Sequence, residues 1–370
     1  MSAVYPIPSQ GMLSTIGDGL WNAFLMAWEV WWALVLGFLI SAIVQAWVPR
    51  ERIQAAMAGD GLAPVARATG LGAASSSCSY AAIAIAKSLF QKGASAASAL
   101  AFQFASTNLV WELGLVIWIL IGWQFTLAEF AGGILMIGLM WALLRRFVSA
   151  RLEEQAREHA QSAQEGHVHG SAANRSWADV ARNFQGDWRM LWRDITIGFL
   201  LAGFIALLGD DFFNVLFLED APSGVQTVWG ALIGPVIAVL SFVCSVGNVP
   251  LAAVLWSGGI SFAGVMAFIF ADLIVLPIVV AYRKYYGWSF ALRITALMFV
   301  TMVVAALIID LVFSGLGLIP SARPSTEDVF GSIELDYKAV LNAIALVIFV
   351  AMFSIALRHP ADHHHMHAHH

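Results

Sequence analysis

Two cysteines are the residues best suited to bind a solute in this chain, and a serine follows each of them, at Cys78–Ser79 and Cys244–Ser245. Thiolates are the ligands that soft metals and metalloids prefer. Small polar residues at a helix break also leave hydroxyl and backbone groups free to face a solute. The predicted substrate path contains these residues and two amides within apolar sequence: Cys78, Ser79, Asn108, Cys244, Ser245 and Asn248. The alternative is that each cysteine is a small buried residue at a close helix contact.

Two acidic residues, Glu112 and Asp272, lie inside apolar sequence. A charge near the bilayer centre is costly unless it is paired or hydrated, so such residues often mark ion pathways. Both are therefore candidates for coupling transport to a proton or another cation. The alternative for either is a structural ion pair with Lys87 or an arginine.

The C-terminal tail is rich in histidine, which binds zinc, copper and nickel. The candidate metal ligands are His363, His364, His365, His367, His369 and His370. The alternative is a disordered and dispensable terminus. No phosphate-binding loop, zinc-protease motif or dinucleotide fingerprint is present, so we expect no cofactor, no nucleic-acid partner and no enzymatic activity.

The sequence around one cysteine recurs around the other. SSSCSYAAIAIAKSLFQKGASAASALAFQFAS begins at Ser75 and SFVCSVGNVPLAAVLWSGGISFAGVMAFIFAD begins at Ser241, and they align without a gap. The offset is constant, since 244 minus 78 is 166. Identical pairs include Cys78/Cys244, Ser79/Ser245, Leu89/Leu255, Gly93/Gly259, Ser95/Ser261 and Phe104/Phe270. A duplicated half in an apolar chain is typical of a transporter whose binding site lies between two repeats.

The elements that position these residues are predicted to be membrane helices. Hydrophobic residues form 60% of the chain and charged residues 12%, with a mean hydropathy of +0.77. These values are typical of an integral membrane protein rather than a soluble domain. Predicted spans cover 20–48, 97–123, 125–147, 193–213, 261–282, 289–313 and 338–357.

The two cysteine segments, 61–92 and 227–258, are too long for one span and are interrupted by Gly, Ser and Pro. We therefore interpret each as a broken or re-entrant hairpin. The arginine-rich segment between the halves predicts a cytoplasmic linker. With that anchor the charges predict an all-α polytopic membrane protein of two inverted-topology repeats, each with a Cys-Ser hairpin, plus an extra C-terminal transmembrane helix.

This topology predicts five parts. They are a first transmembrane repeat (1–147), a cytoplasmic linker (148–192), a second repeat (193–319), an outer loop with a final helix (320–358) and a His-rich tail (359–370). The protein is predicted to be multi-pass, with its linker and C-terminus in the cytoplasm.

The paired motifs, CS before an apolar helix, then KGAS or GGIS, then AFQFAS or AFIFAD, resemble the predicted permease family that includes the bacterial organoarsenical efflux permeases. The resemblance extends from the first span to about residue 310. It implies a permease of the bacterial cytoplasmic membrane whose Cys-Ser positions line the substrate path. The chain differs from arsenical exporters in having Ser76 and Tyr80 around a lone first cysteine. It also has only two thiols, which are too few to bind one arsenic atom through three thiolates within one chain.

These observations predict a secondary transporter that moves a small solute through a midplane site between the repeats, most simply efflux of a thiophilic metalloid or metal species. Its partners would be the lipid bilayer, a small-molecule or ion substrate and a coupling proton; the oligomeric state stays open. The alternatives are transport of a transition-metal ion or a small sulfur-containing anion, a membrane thiol oxidoreductase using Cys78 and Cys244, and a metal sensor that works through its histidine tail.

Overall fold

The computed structural model describes residues 12–47, 61–75, 79–91, 93–162, 176–208, 210–218, 221–241, 245–323 and 337–359. These residues are almost entirely helical and include no β-strand. The chain is therefore an all-α protein with many apolar helices, as predicted.

The helices of the first half begin before the first cysteine and end in the linker. They are α1 (Met12–Trp47), α2 (Leu62–Ser75), α3 (Ser79–Gln91), α4 (Ala96–Asn108), α5 (Trp111–Leu120), α6 (Trp123–Phe147) and α7 (Ala150–Ser162).

The second half contains more elements. It contains α8 (Trp177–Ile205), a 3₁₀ turn (Ala206–Leu208), α9 (Asp210–Phe217), α10 (Ser223–Ser241), α11 (Ser245–Ser257), α12 (Phe262–Phe270), a second 3₁₀ turn (Ala271–Ile274), α13 (Leu276–Tyr286) and α14 (Trp288–Gly315). The last helix, α15 (Tyr337–Arg358), follows. Adding the offset of 166 to the bounds of α3 gives those of α11, and adding it to α4 gives α12 with its 3₁₀ turn.

Five helices or continuous helical stretches of the described residues are long and apolar enough to cross a membrane. They are Trp123–Phe147, Ser223–Ser241, Phe262–Tyr286, Trp288–Gly315 and Ala339–Arg358. Two bent pairs bring the number to seven: α4 with α5, bent by 41°, and the two parts of α1, bent by 50°. The chain is a multi-pass membrane protein on these criteria.

The structure differs from the predicted spans in the second half. The predicted span 193–213 contains only a shorter apolar helix, Ile195–Leu208, because the preceding turns of α8 carry Arg189 and Arg193. A full-length apolar helix lies instead at Ser223–Ser241, which the sequence analysis assigned partly to a hairpin.

Equivalent helices of the two halves pack against each other in antiparallel directions. In the α1–α8 pair, Gly19 near the start of α1 contacts Phe204 near the end of α8. Ala42 near the end of α1 accepts a hydrogen bond from Asn183 near the start of α8, at 3.5 Å. The direction of α8 is therefore opposite to that of α1.

The α6–α14 pair has the same arrangement. Phe147, at the end of α6, accepts a hydrogen bond from Arg293 in the second turn of α14 at 3.2 Å. The hydroxyl of Thr301, further along α14, lies 3.7 Å from the sulfur of Met140, which precedes Phe147. Reciprocal contacts also join α3 to α13 and α11 to α5. Such mutual pairing is typical of two-fold symmetry.

An arginine side chain binds backbone carbonyl groups at the C-terminal end of α3. The Arg157 guanidinium, on α7, donates to the carbonyl of Phe90 and, at 3.0 Å, to that of Ala94. It also lies 4.3 Å from the centre of the Phe90 ring. Carbonyls at a helix C-terminus lack helical partners and favour a positive charge, so this contact stabilises the turn after α3.

The same contact recurs after α11, from a residue 166 positions later. Arg323 donates to the carbonyls of Trp256 at 3.0 Å and Ile260 at 2.9 Å, and lies 4.2 Å from the centre of the Trp256 ring. We call each arginine with its two carbonyls and ring an arginine clamp. The repeat therefore continues well beyond the stretch that the sequence alignment covered.

The final helix α15 supplies the hydrogen-bond partners that the backbone of α1 lacks at its kink. In a regular helix the amide of Trp32 would donate to the carbonyl of Trp28. Here Asn342 lies between them: its Oδ1 accepts from the Trp32 amide at 3.1 Å and its Nδ2 donates to the Trp28 carbonyl at 2.9 Å. The buried amide side chain thus satisfies both backbone groups that the kink separates.

Candidate functional site

Two serines from equivalent positions of the repeats meet in the interior. The Oγ atoms of Ser79 and Ser245 are 3.3 Å apart, and both residues are buried. The contact therefore joins equivalent positions of the duplicated sequence in the protein interior.

Asp272 joins the two serines. Its Oδ2 accepts hydrogen bonds from Ser79, at 3.1 Å, and from Ser245. Its side chain is fully buried, and its Oδ1 has no hydrogen-bond partner. The structure therefore brings together three of the residues that the sequence singled out.

Two hydroxyl donors help to stabilise a carboxylate at this point. The Ser79 and Ser245 hydroxyls both donate to Asp272, and hydrogen bonds to an ionised carboxylate are stronger than those to a neutral group. Asp272 itself lies on the short 3₁₀ turn that interrupts the path from α12 to α13.

A second fully buried carboxyl group, that of Glu129 on α6, lies close enough to Asp272 to interact with it electrostatically. Neither carboxyl oxygen of Glu129 has a hydrogen-bond partner. The sequence analysis missed this residue. The signal was available, because Glu129 is an acidic residue inside the predicted span 125–147, the same property that selected Glu112.

Gln103 and Tyr282 form a third polar pair in the interior, and both are fully buried. The Gln103 amide nitrogen donates to the Tyr282 hydroxyl, whose oxygen lies 3.7 Å from the sulfur of Met298. The Gln103 Oε1 has no partner. Tyr282 also interacts electrostatically with Asp272, so this pair adjoins the serine–aspartate cluster.

Two predicted path residues, Asn108 and Asn248, are fully buried but bind their own surroundings. The Asn108 amide nitrogen donates to Phe104 O at 3.2 Å and to Thr107 Oγ1 at 3.0 Å, at the end of α4. The Oδ1 of Asn248 accepts from the Ser241 hydroxyl at 3.1 Å. Asn248 thereby links the end of α10 to α11 across the cysteine position.

Glu112 is buried in a different place. It lies in the first turn of α5 and lines a narrow crevice whose other walls are Leu34, Phe38, Val116 and Val246. Glu112 and Asn108 lie on different helices, because α4 ends at Asn108 and the chain bends by 41° before α5.

The remaining predicted site residues, Cys78, Cys244 and the six histidines of the tail, lie outside the described residues. Among the residues that the structure does describe, no three His, Cys, Asp or Glu side chains are grouped as metal ligands. That finding does not test a thiol site or a histidine site.

The apolar helices define a multi-pass membrane protein. Its buried polar cluster contains Ser79 from the first half and Ser245 and Asp272 from the second. Residues 22–311 match the predicted permease family, and the chain belongs to that family. It is also similar to the Mycobacterium tuberculosis (strain ATCC 25618 / H37Rv) protein named "Putative permease Rv2963", with 46% identity over 303 residues that cover 77% of this chain and 74% of the relative. No solved structure matches significantly. The family confirms the resemblance drawn from the paired motifs and makes the protein a membrane permease.

Proposed function

We propose that this permease is a secondary transporter that exports a thiophilic metalloid or metal species through a midplane site between two inverted halves. The observation that carries the proposal is the contact between Ser79 and Ser245, because it brings equivalent points of the two repeats together deep in the protein. Each serine directly follows a cysteine in the sequence.

The antiparallel packing of α1 with α8 and of α6 with α14 supports the inverted topology. If both helices of an equivalent pair cross the membrane, opposite directions place the symmetry axis in the membrane plane. Leu62–Ser75 and Ser79–Gln91 flank the first cysteine position, and Ser223–Ser241 and Ser245–Ser257 flank the second. We interpret each of these helix pairs as a broken or re-entrant hairpin. Two such breaks can meet only where backbone is buried in protein or lines a cavity.

The charge at the centre favours some cargoes over others. An ionised Asp272 repels an anion at the serine pair and attracts a cation, which argues against the small sulfur-containing anion. A soft cation or a neutral thiol-binding metalloid would take up to two thiolates from Cys78 and Cys244 and oxygen ligands nearby. A transition-metal ion is the second candidate cargo on the same grounds.

The bacterial inner membrane, with the linker and C-terminus in the cytoplasm, is the proposed location. The basic residues of α7 and the start of α8 support this orientation, since arginine collects on the cytoplasmic side of short loops. In this orientation the Arg157 clamp lies at the cytoplasmic end of the protein and the Arg323 clamp lies at the outer end.

Transport into everted membrane vesicles tests the proposal. The cargoes are trivalent methylarsenite, zinc, copper and small anions, and the proteins are wild type, Cys78→Ser, Cys244→Ser and a chain lacking 363–370. We expect one thiophilic cargo to accumulate, each cysteine variant to lose at least about tenfold of the rate, and the tail deletion to keep it. Equal transport by wild type and both cysteine variants would refute the thiol site.

A further inference from the structure

Two buried carboxyl groups share one site between the halves. Asp272 uses only one oxygen, Oδ2, to accept from Ser79 and Ser245, and its Oδ1 has no partner. Glu129 is fully buried with both oxygens unpartnered. Gly132, one turn further along α6, packs against the ring of Phe270, two residues before Asp272, so this part of α6 lies against the segment that carries Asp272.

No cation in the described part of the chain balances this pair. The ion pairs there join Arg157 to Glu153 and Glu154 and Arg182 to Asp179, all away from the pair. Among the residues that the structure describes, the Tyr282 hydroxyl is a further titratable group beside the pair, and it adds no positive charge. Two carboxylates that share a buried site cannot both stay ionised.

The environments of the two carboxyls differ enough to assign their states. Asp272 accepts hydrogen bonds from two hydroxyl groups, and these donors stabilise a carboxylate. Glu129 has no donor, so its buried oxygens favour the protonated form. The arrangement therefore holds one negative charge and one proton.

We propose that Glu129 and Asp272 form the proton-binding site that couples transport, with the exchangeable proton held on Glu129 when the centre is closed. This inference rests on the proposed function and deepens it. In each cycle the O–H bond of Glu129 breaks and its proton passes to water on one side of the membrane. A proton from the other side then binds the pair, and no electron transfer is involved.

Ser79 and Ser245 link the protonation state of the carboxyl pair to the relative position of the two halves. Hydrogen bonds to an ionised carboxylate are roughly twice as strong as those to a neutral group. While Asp272 is ionised it therefore holds the starts of α3 and α11 together. When a proton moves to Asp272 these bonds weaken, and the two halves can separate to admit cargo.

Proteoliposomes with an imposed pH gradient test the coupling, with Glu129→Gln and Asp272→Asn as variants. Asp310→Asn is the matched control, since Asp310 is a partly buried carboxylate whose Oδ1 accepts from the Ala263 amide at 3.1 Å, and an asparagine keeps that acceptor. We expect Glu129→Gln to lose gradient-driven accumulation by at least about tenfold and to lose its pH dependence. It should keep cargo exchange without a gradient within about threefold, and Asp310→Asn should keep both.

Gradient-driven accumulation by Glu129→Gln at the wild-type level would overturn the inference. Accumulation by wild type that is driven by a sodium gradient instead of a proton gradient would also overturn it. If wild-type protein moves no cargo in either mode, the proposed function fails instead. Infrared difference spectroscopy of purified protein separates the two cases without any cargo. The band of a buried protonated carboxyl should be present in wild type and Asp310→Asn and absent in Glu129→Gln; a band unchanged in Glu129→Gln would refute the proton site.

Discussion

The two halves of this permease share their helices but not their charges. The boundaries of α3 and α4 recur in α11 and in α12 with its 3₁₀ turn, and the glycine turn, the serine cap and the arginine clamp recur with them. Ser95 and Ser261 cap their helices with nearly the same backbone angles, at φ −67° and −63°. The features that hold each half in shape are thus duplicated.

The buried carboxyl groups of Asp272 and Glu129, and the buried amide of Gln103, have no equivalent in the other half. The position equivalent to Asp272 is Ser106, that of Glu129 is Thr295, and that of Gln103 is Ile269. A duplicated scaffold gives two halves of similar stability that can exchange conformations. One carboxyl pair near the axis is enough to serve both, since a second pair would add more buried charge. The comparison indicates that the scaffold is symmetric and the proposed coupling site is not.

The largest effect is expected where the helix pairs of each half make their closest contact. A Cβ on Gly234 would lie 2.5 Å from the carbonyl oxygen of Gly264, and a Cβ on Gly72 would lie 2.4 Å from that of Phe102. Leucine at either site should separate the helices and cost about 3 kcal/mol or more. The yield of monodisperse protein and its thermal unfolding measure this, with Gly138→Leu, which faces open space, as control. A loss confined to one half would contradict their equivalence.

The arginine clamps test the same equivalence at the ends of α3 and α11. Arg157→Ala should cost about 2–3 kcal/mol, because two carbonyls lose a charged donor and the Phe90 ring loses a cation. Arg323 is more exposed, so Arg323→Ala should cost about 1–2 kcal/mol.

Thermal unfolding in detergent gives the order of the two clamp variants, and lysine at each position is the control that keeps the charge without the two-carbonyl geometry. A larger loss of stability for Arg323→Ala than for Arg157→Ala would show that the burial of the arginine does not determine how much each clamp stabilises the protein.

The helix α15 packs against both α1 and α8, but among the described residues Asn342 donates and accepts hydrogen bonds at the kink of α1, so this residue tests a difference between the halves. Asn342→Leu should cost about 2 kcal/mol, because the Trp28 carbonyl and the Trp32 amide lose their buried partners. Asn342→Asp, which keeps an acceptor for the amide, should lose less. Hydrogen exchange localises the effect, which we expect in α1 and not in α8; equal exchange in both would refute it.

The smallest effect is expected at the two glycine turns. Gly93 and Gly259 have φ angles of +97° and +102°, and nothing lies within 4 Å of a Cβ at either site. Alanine should therefore cost only backbone strain, about 1–2 kcal/mol, and equally in both halves. Thermal unfolding of Gly93→Ala, Gly259→Ala and the helical control Gly138→Ala measures it. Unequal losses would mean that the two turns differ in ways that their backbone angles do not.

The sequence allowed much of the scaffold to be predicted. It predicted the helical membrane class and the family, since apolar runs and a duplicated motif are local signals. It also singled out Ser79, Ser245 and Asp272, which the structure brings together, and their role in transport stays a prediction. It misplaced one span because the charged turns of α8 shorten its apolar part. It missed Glu129, although the same rule would have found it. It also missed Tyr282, Arg323 and Asn342, whose partners lie far away in the chain.

By itself, the sequence determined that the chain is a membrane permease with a duplicated cysteine segment, because hydropathy and repetition are properties of residue order. Only the tertiary structure decided that Ser79 touches Ser245, that Asp272 accepts hydrogen bonds from both serines, and that a second buried carboxyl, that of Glu129, lies near it. The physical reason is that a buried carboxyl is defined by the donors and charges around it. Those groups come from helices of both halves, brought together only by antiparallel packing.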